Sequence, residues 1–181
     1  MKLRLALLLL LLPPTARAAV TVSASGGHSH RTWHGQADVQ ALNIEIGRDL
    51  SPRNEVAFVV SPMSLWQPRS WFGDEFGDGN ETVHALAAAL LVRRKFNVDS
   101  SRVQFYGEAS TGPVWAEKAI PASTSRFNFS TNFGAGVVLM PRSRFPMIVG
   151  YRFMHLSNGG YAPRNPGFNI SAVMVGVRIR R

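Results

Sequence analysis

The run Phe127-Asn128-Phe129-Ser130-Thr131-Asn132-Phe133-Gly134-Ala135-Gly136-Val137-Val138-Leu139 decides the fold class. Successive side chains of a β-strand point to opposite faces, so a strand is read with period two. One face here carries Phe127, Phe129, Thr131, Phe133, Ala135, Val137 and Leu139, and the other carries Asn128, Ser130, Asn132, Gly134 and Gly136. The last strand-like run repeats the pattern, with Val173, Val175, Val177 and Ile179 set against Ala172, Met174, Gly176, Arg178 and Arg180. A soluble sandwich would turn the apolar face to a core, whereas an outer-membrane barrel turns it to lipid and lines its interior with the small polar face. Alternation by itself does not choose between them.

Outward from this run, strand signals recur at Ala19 to Ser25, Asp38 to Arg48, Glu55 to Leu65, Glu81 to Phe96, Arg102 to Ser110, Arg126 to Met140, Phe145 to Leu156 and Phe168 to Arg180. Clusters rich in Gly, Pro, Asn, Asp and Ser, such as Ser51-Pro52-Arg53-Asn54, separate them. Most are about ten residues long, the length a tilted strand needs to cross hydrocarbon and longer than the usual strand of a globular sheet. Trp66, Trp71, Trp115 and Phe145 fall near strand ends, as in an aromatic girdle. The Ala-rich segment Ala85 to Val92 has helical propensity, but a closed sheet leaves little room for one isolated helix, and it reads as strand.

Lys2 and Arg4, the apolar run Leu5 to Leu12 and the small-residue site Ala16-Arg17-Ala18 read as a secretory signal over residues 1–18, with one domain over residues 19–181. The chain has no cysteine, so an exported domain must be stable without disulfides, which a closed barrel achieves. These features favour the membrane: an all-β, antiparallel outer-membrane β-barrel of about eight strands, its lumen filled by side chains. Lys and Arg number 20 against 11 Asp and Glu; without Lys2, Arg4 and Arg17 the balance is 17 against 11. A basic balance suggests nucleic acid, but export argues for no nucleic acid partner and leaves lipid phosphate or a solvated basic surface.

Tyr151 to Asn169 carries the chemistry. His155 and Ser157 lie two residues apart, hence on one face of a strand and within reach of an imidazole–hydroxyl hydrogen bond, a nucleophile beside its base. Asn158, Gly159, Gly160, Asn165, Pro166 and Gly167 follow, supplying amide donors and permissive backbone for an oxyanion site. Parity puts Met147, Val149, Tyr151, Phe153, His155 and Ser157 on the lipid face, with Ile148, Gly150, Arg152 and Met154 inside. A pair aimed at the membrane boundary suits a lipid ester rather than a diffusing polar substrate. The plainer reading of Ser-Asn-Gly-Gly after a strand is a turn. His28, His30 and His34 suggest a metal cluster, but no Cys, Asp or Glu between Ala19 and Ala37 completes a shell, and a solvated loop is the better reading. The sequon matches at Asn80, Asn128 and Asn169 read as chance, since the barrel reading implies a bacterial envelope.

His155-x-Ser157-Asn158-Gly159-Gly160 with Asn165-Pro166-Gly167-x-Asn169 resembles the outer-membrane lipid A 3-O-deacylases of the PagL type and the wider acyloxyacyl-hydrolase-like group around them. The resemblance implies an eight-stranded barrel that hydrolyses the ester-linked acyl chain at the 3-position of lipid A in lipopolysaccharide, with no metal or organic cofactor. It implies Ser157 as nucleophile, His155 as general base, and Asn158, Gly160 and Asn165 as donors to the oxyanion. The sequence departs from the family at the third member, a Glu fourteen residues after the His, where this chain has Asn169. A carboxylate holds the imidazole tautomer and stabilises the imidazolium, whereas an amide does only the first. Asp74, Glu75, Asp78 and Glu81 are the acids a neighbouring loop offers instead. Two other classes stay open, a non-catalytic outer-membrane barrel with a lipid-binding or structural role and a soluble periplasmic lipid-binding barrel; so does a homodimer.

Overall fold

The computed structural model describes residues 18–30, 36–69 and 79–180, with the side chains of Ala18 and Arg180 left aside. Residues 1–17, which hold nearly all of the expected signal segment, lie outside the described residues, as do His34, Trp71, Asp74, Glu75 and Asp78. Eight strands follow one another: β1 (Ala18–Ser29), β2 (Asp38–Asp49), β3 (Asn54–Pro68), β4 (Asn80–Lys95), β5 (Val103–Ala116), β6 (Phe127–Leu139), β7 (Met147–Ser157) and β8 (Phe168–Arg180). Each pairs antiparallel with its neighbours, and β1 pairs with β8 to close the barrel. The Ala-rich segment is strand within β4, paired with β3 (Val60 opposite Ala88) and with β5 (Leu90 opposite Thr111). Pairing on both edges overrides its helical propensity.

The register fixes the tilt. Paired residues followed once round the barrel from Ala19 run through Gly47, Ala57, Leu91, Ser110, Asn132, Met154 and Ile170 and return to β1 at Ser29, ten residues further along. With a rise of about 3.3 Å per residue and strands about 4.7 Å apart, this stagger over eight strands tilts them by about 40°. Strands of 11 to 16 residues are what that tilt requires, since about 12 residues at about 40° cover the roughly 30 Å of hydrocarbon. The strand signals of the sequence end at Ser25 and Ser110, whereas β1 runs on to Ser29 and β5 to Ala116 through glycine. In the structure glycine serves close packing: a Cβ on Gly27 would lie 2.0 Å from the Ser171 carbonyl oxygen, and one on Gly112 would lie 2.0 Å from that of Ala88.

The outer wall exposes Val20, Val22, Leu42, Ile44, Ile46, Leu90, Val92, Phe133, Val173, Val175, Val177 and Ile179. So continuous an apolar exterior matches hydrocarbon, not water. Trp66 and Trp115 stand exposed near one rim, and Phe96, Phe105 and Phe145 near the other. The rim with the long connections, at 30–37, 69–79, 117–126 and 158–167, is the outer one; short connections at 50–53, 96–102 and 140–146 face the periplasm.

Inside, the two halves differ. The outer half is an apolar plug of Val39, Met63, Leu65, Val83, Val114, Ile120, Met154, Leu156, Phe168 and Ile170, with Ile120 contributed by the β5–β6 connection. The periplasmic half is an ion network. Arg93, fully buried, donates to Glu45 at 2.9 Å and Glu108 at 2.7 Å and lies 3.4 Å from Glu55, with its guanidinium over the Tyr106 ring at 4.9 Å. Arg152 donates to Glu108 at 2.6 Å, Arg178 to Glu55 at 2.8 Å, and Lys95 bridges Glu55 and Asp49. Side chains thus fill the lumen, which is not a pore.

Arg93→Met takes from Glu45 its hydrogen-bonded partner in the lumen, while Glu108 keeps Arg152, and breaking such a buried pair from one side costs about 3–5 kcal/mol. The urea midpoint for loss of the compact, fast-migrating species in detergent gels should fall accordingly. Arg94→Ala, on the exposed outer wall, should leave it nearly unchanged.

Candidate active site

Cross-strand pairing of β7 with β8 places His155 opposite Asn169. Ser157 lies two residues along β7 on the same outer face, at the end of the strand. His155 Nδ1 is 2.8 Å from Asn169 Oδ1, and His155 Nε2 is 3.1 Å from Ser157 Oγ. An amide oxygen accepts but cannot donate, so the Asn169 contact puts the ring proton on Nδ1. Nε2 is then free to accept the Ser157 hydroxyl proton. His155 and Asn169 are exposed and Ser157 half-buried, so the line Asn169–His155–Ser157 runs across the outer wall next to the outer rim.

The connection after Ser157 is braced by one side chain. Asn158, 1 % exposed, accepts from the Gly160 N–H at 2.9 Å and donates through Nδ2 to the Arg164 carbonyl at 2.7 Å. Its own N–H donates to Asn165 Oδ1 at 3.0 Å. Of the three expected oxyanion donors, the N–H groups of Asn158 and Gly160 therefore hold the loop together. Asn165 Nδ2 has no hydrogen-bond partner among the described residues. Gly160 at φ +80° and Gly167 at φ +65° take the left-handed conformation that disfavours any side chain. Gly167 is constrained twice, because a Cβ there would stand 3.2 Å from His155 Cε1 and 3.4 Å from Ser157 Cβ.

The flanks differ in chemistry. Towards β6, Phe127 packs edge-on against Phe129 at 5.2 Å and Tyr161 at 6.2 Å, and Trp115 lies 6.1 Å from Phe127 beneath the Arg126 guanidinium. Towards β1, Ser171 Oγ lies 2.7 Å from the Tyr151 hydroxyl and 3.0 Å from His30 Nε2. The site thus has an aromatic wall on one side and a polar patch on the other, both facing outward.

The structure brings together His155, Ser157, Asn169, Asn158, Gly160 and Asn165. It does not bring Glu81 to the site: that carboxylate holds Lys118 at 2.8 Å and Gln67 at 3.2 Å. The other loop acids fall outside the described residues. His30 is engaged with Ser171 rather than forming a cluster with His28. Sequence reasoning gave no role to Tyr151, Ser171 or the Phe127–Tyr161 wall. Parity did put Tyr151 on the lipid face, but the partners join across strands and need the register.

A family model for lipid A 3-O-deacylase (PagL) matches residues 18–178. No curated protein sequence matches. Among solved structures, the chain resembles the outer membrane enzyme PagL at 19 % identity and TM-score 0.58, covering 88 % of this chain and 98 % of that one. Neisserial surface protein A (NspA) matches at 15 % identity and TM-score 0.62 over 90 % and 96 %. The N-terminal β-barrel domain of Pseudomonas aeruginosa OprF matches at 16 % identity and TM-score 0.51 over 91 % and 100 %. At these identities the structural likeness is one of fold, that of outer-membrane barrels.

Gly167→Ala should displace the His155 ring, since both the φ and the 3.2 Å approach oppose a methyl group. Labelling of Ser157 by a fluorophosphonate reagent should slow by about tenfold or more, with the gel mobility of the folded barrel retained.

Proposed function

The chain belongs to the lipid A 3-O-deacylase (PagL) family, and we propose that it is an outer-membrane esterase that removes the 3-O-linked acyl chain from lipid A. The observation that carries this reading is the hydrogen bond from Ser157 to the unprotonated nitrogen of His155, on the lipid-facing wall beside the outer rim. A lipid A molecule in the outer leaflet presents its ester carbonyls near that height with its acyl chains along the wall. The aromatic cluster of Phe127, Phe129 and Tyr161 offers apolar surface to such chains. Residues 1–18 are proposed as the export signal that delivers the chain to the envelope.

Ser157 Oγ attacks the ester carbonyl carbon as its proton passes to His155 Nε2. The carbonyl oxygen becomes an oxyanion facing Asn165 Nδ2; the Asn158 and Gly160 N–H groups join it once their loop bonds to Asn165 and Asn158 are exchanged. Collapse breaks the bond to the sugar oxygen, which takes the proton from His155, and leaves the acyl group on Ser157. Water, deprotonated by His155, then releases the fatty acid and restores the serine. Asn169 fixes the tautomer of His155 but brings no charge to meet the imidazolium, so this chain should be slower than a relative with Glu at that position. Every step uses protein groups and water. The second reading is a non-catalytic barrel that binds lipid or lends structure, and the specific observation in its favour is the amide at Asn169.

Purified protein mixed with lipopolysaccharide in detergent should release a 3-hydroxy fatty acid. Ser157→Ala and His155→Ala should each abolish release, a loss of several orders of magnitude, while leaving the barrel folded. Asn169→Glu should raise the rate by about tenfold or more by stabilising the imidazolium. Absence of release by the wild-type protein across several lipid A species and pH values would leave the non-catalytic barrel.

A further inference from the structure

A second outward-facing polar array lies on the β1–β4 wall, away from the β7–β8 site. Ser64 Oγ is 2.9 Å from His84 Nδ1, across the β3–β4 ladder. The same ladder continues from Ser64 to Gln40 on β2, Gly26 on β1 and Val173 on β8. Gly26, Gln40, Ser64 and His84 line a groove whose outer surface is lowered by Ala24, Gly26 and Pro62. The space over Gly26 is open: a Cβ there would have only the Val39 carbonyl oxygen within 4 Å, at 3.9 Å. Pro62 has no N–H to give, and the paired residues of β2 and β3 skip from Ala41–Met63 to Ile44–Val60.

Two features mark the groove as a place for a ligand rather than a bare lipid-facing wall. The Gln40 carboxamide and His84 Nε2 face outward with no hydrogen-bond partner among the described residues, and polar groups at a membrane wall without a partner are unfavourable. Their depth also coincides with that of the site. At a tilt of about 40°, one residue along a strand rises about 2.5 Å and one ladder step about 3 Å. On this scale Gln40, Ser64 and His84 occupy the same band, roughly 6 Å tall, as His155, Ser157 and Asn169. The β8 site and the β3 end of the groove are three strand spacings apart, about 14 Å, with the exposed His28 of β1 between them at that height and the low ground of Gly26 about 5 Å nearer the periplasm.

We infer that this groove receives further acyl chains of the lipid A molecule whose scissile ester lies at Ser157. In that pose Gln40 Nε2 donates to a carbonyl or hydroxyl oxygen of those chains, and His84 Nε2 makes a second hydrogen bond to the same polar region. Ser64 holds the His84 ring in place. The inference rests on the lipid A reading above, and it assigns the groove to substrate positioning, remote from the bond that breaks.

The test uses binding and turnover together. Full-length Ser157→Ala protein in detergent is titrated with hexa-acylated lipid A and, separately, with a phosphatidylethanolamine, and complexes are counted by native mass spectrometry. Adding Gln40→Leu and His84→Leu should weaken lipid A binding by about tenfold and leave the phospholipid unaffected. In the active protein the same pair should raise KM with kcat little changed, the signature of lost positioning. Gly26→Leu, which fills the low ground without removing a polar group, should act in the same direction and covers the case in which the double variant does not fold. Unchanged lipid A affinity in the folded variants, equal loss of both lipids, or no lipid A binding by the parent protein would each overturn the inference. Groove-dependent binding without fatty acid release would sink the esterase reading alone; release with unchanged KM and affinity would sink the groove alone.

Discussion

A backbone amide facing hydrocarbon has no water to bond, and this constraint governs the molecule. Within the membrane it is met by bonding each strand to two neighbours, which β1 and β8 complete by pairing along their length. Closure with a ten-residue stagger sets the tilt, and the tilt sets strand length and circumference together. The circumference leaves a lumen narrow enough for side chains to fill. Proline is the visible exception, tolerated at Pro62 and Pro113, where the β2–β3 and β4–β5 pairs are interrupted, and at Pro62 the loss of a donor coincides with a groove on the outer wall.

The filled lumen is what turns the outer wall into a platform. Met154, Leu156, Phe168 and Ile170 alternate with His155, Ser157 and Asn169 along β7 and β8 and are locked into the apolar plug. Each of these outward side chains therefore springs from a strand whose inward neighbours are packed in the core. Further towards the periplasm, Arg93, Arg152 and Arg178 share Glu45, Glu55 and Glu108, tying β2, β3, β4, β5, β7 and β8 across the interior. Such a network requires each charge to find its partner, and it favours one register over the slips that a uniformly apolar lumen would tolerate.

Much of this was legible in sequence because parity is a local property. Phe127 to Leu139 announces its two faces in one run, and His-x-Ser announces a shared face in three residues. Strand length was less legible: β1 and β5 run past Ser25 and Ser110 through Gly27 and Gly112, because a barrel uses glycine where neighbouring strands come too close for a Cβ. The loop residues Asn158, Gly160 and Asn165 could be picked out as polar and permissive, but their division of labour could not. Whether an N–H faces a substrate or a neighbouring side chain depends on the course of the loop. Ser64 with His84, and Ser171 with Tyr151 and His30, were invisible for a different reason. They join residues at least 20 positions apart, and only the register of a particular pair of strands makes them neighbours.

The apolar plug also determines how water reaches the outer wall. In a barrel with a wet lumen, solvent stands a single side chain away from any position on the strands. Here the half of the interior behind His155 is closed by Leu156, Phe168 and Ile170, none more than 2 % exposed, so no internal reservoir feeds the site. An acyl group carried on Ser157 would be hydrolysed only by water descending from the cell exterior past the 158–167 connection. On the proposed mechanism the exposed Gly159 and Gly160 would be the gate for the second reactant, and the lifetime of the covalent state would be governed at the cell surface, by whatever sugar or cation packs above that loop.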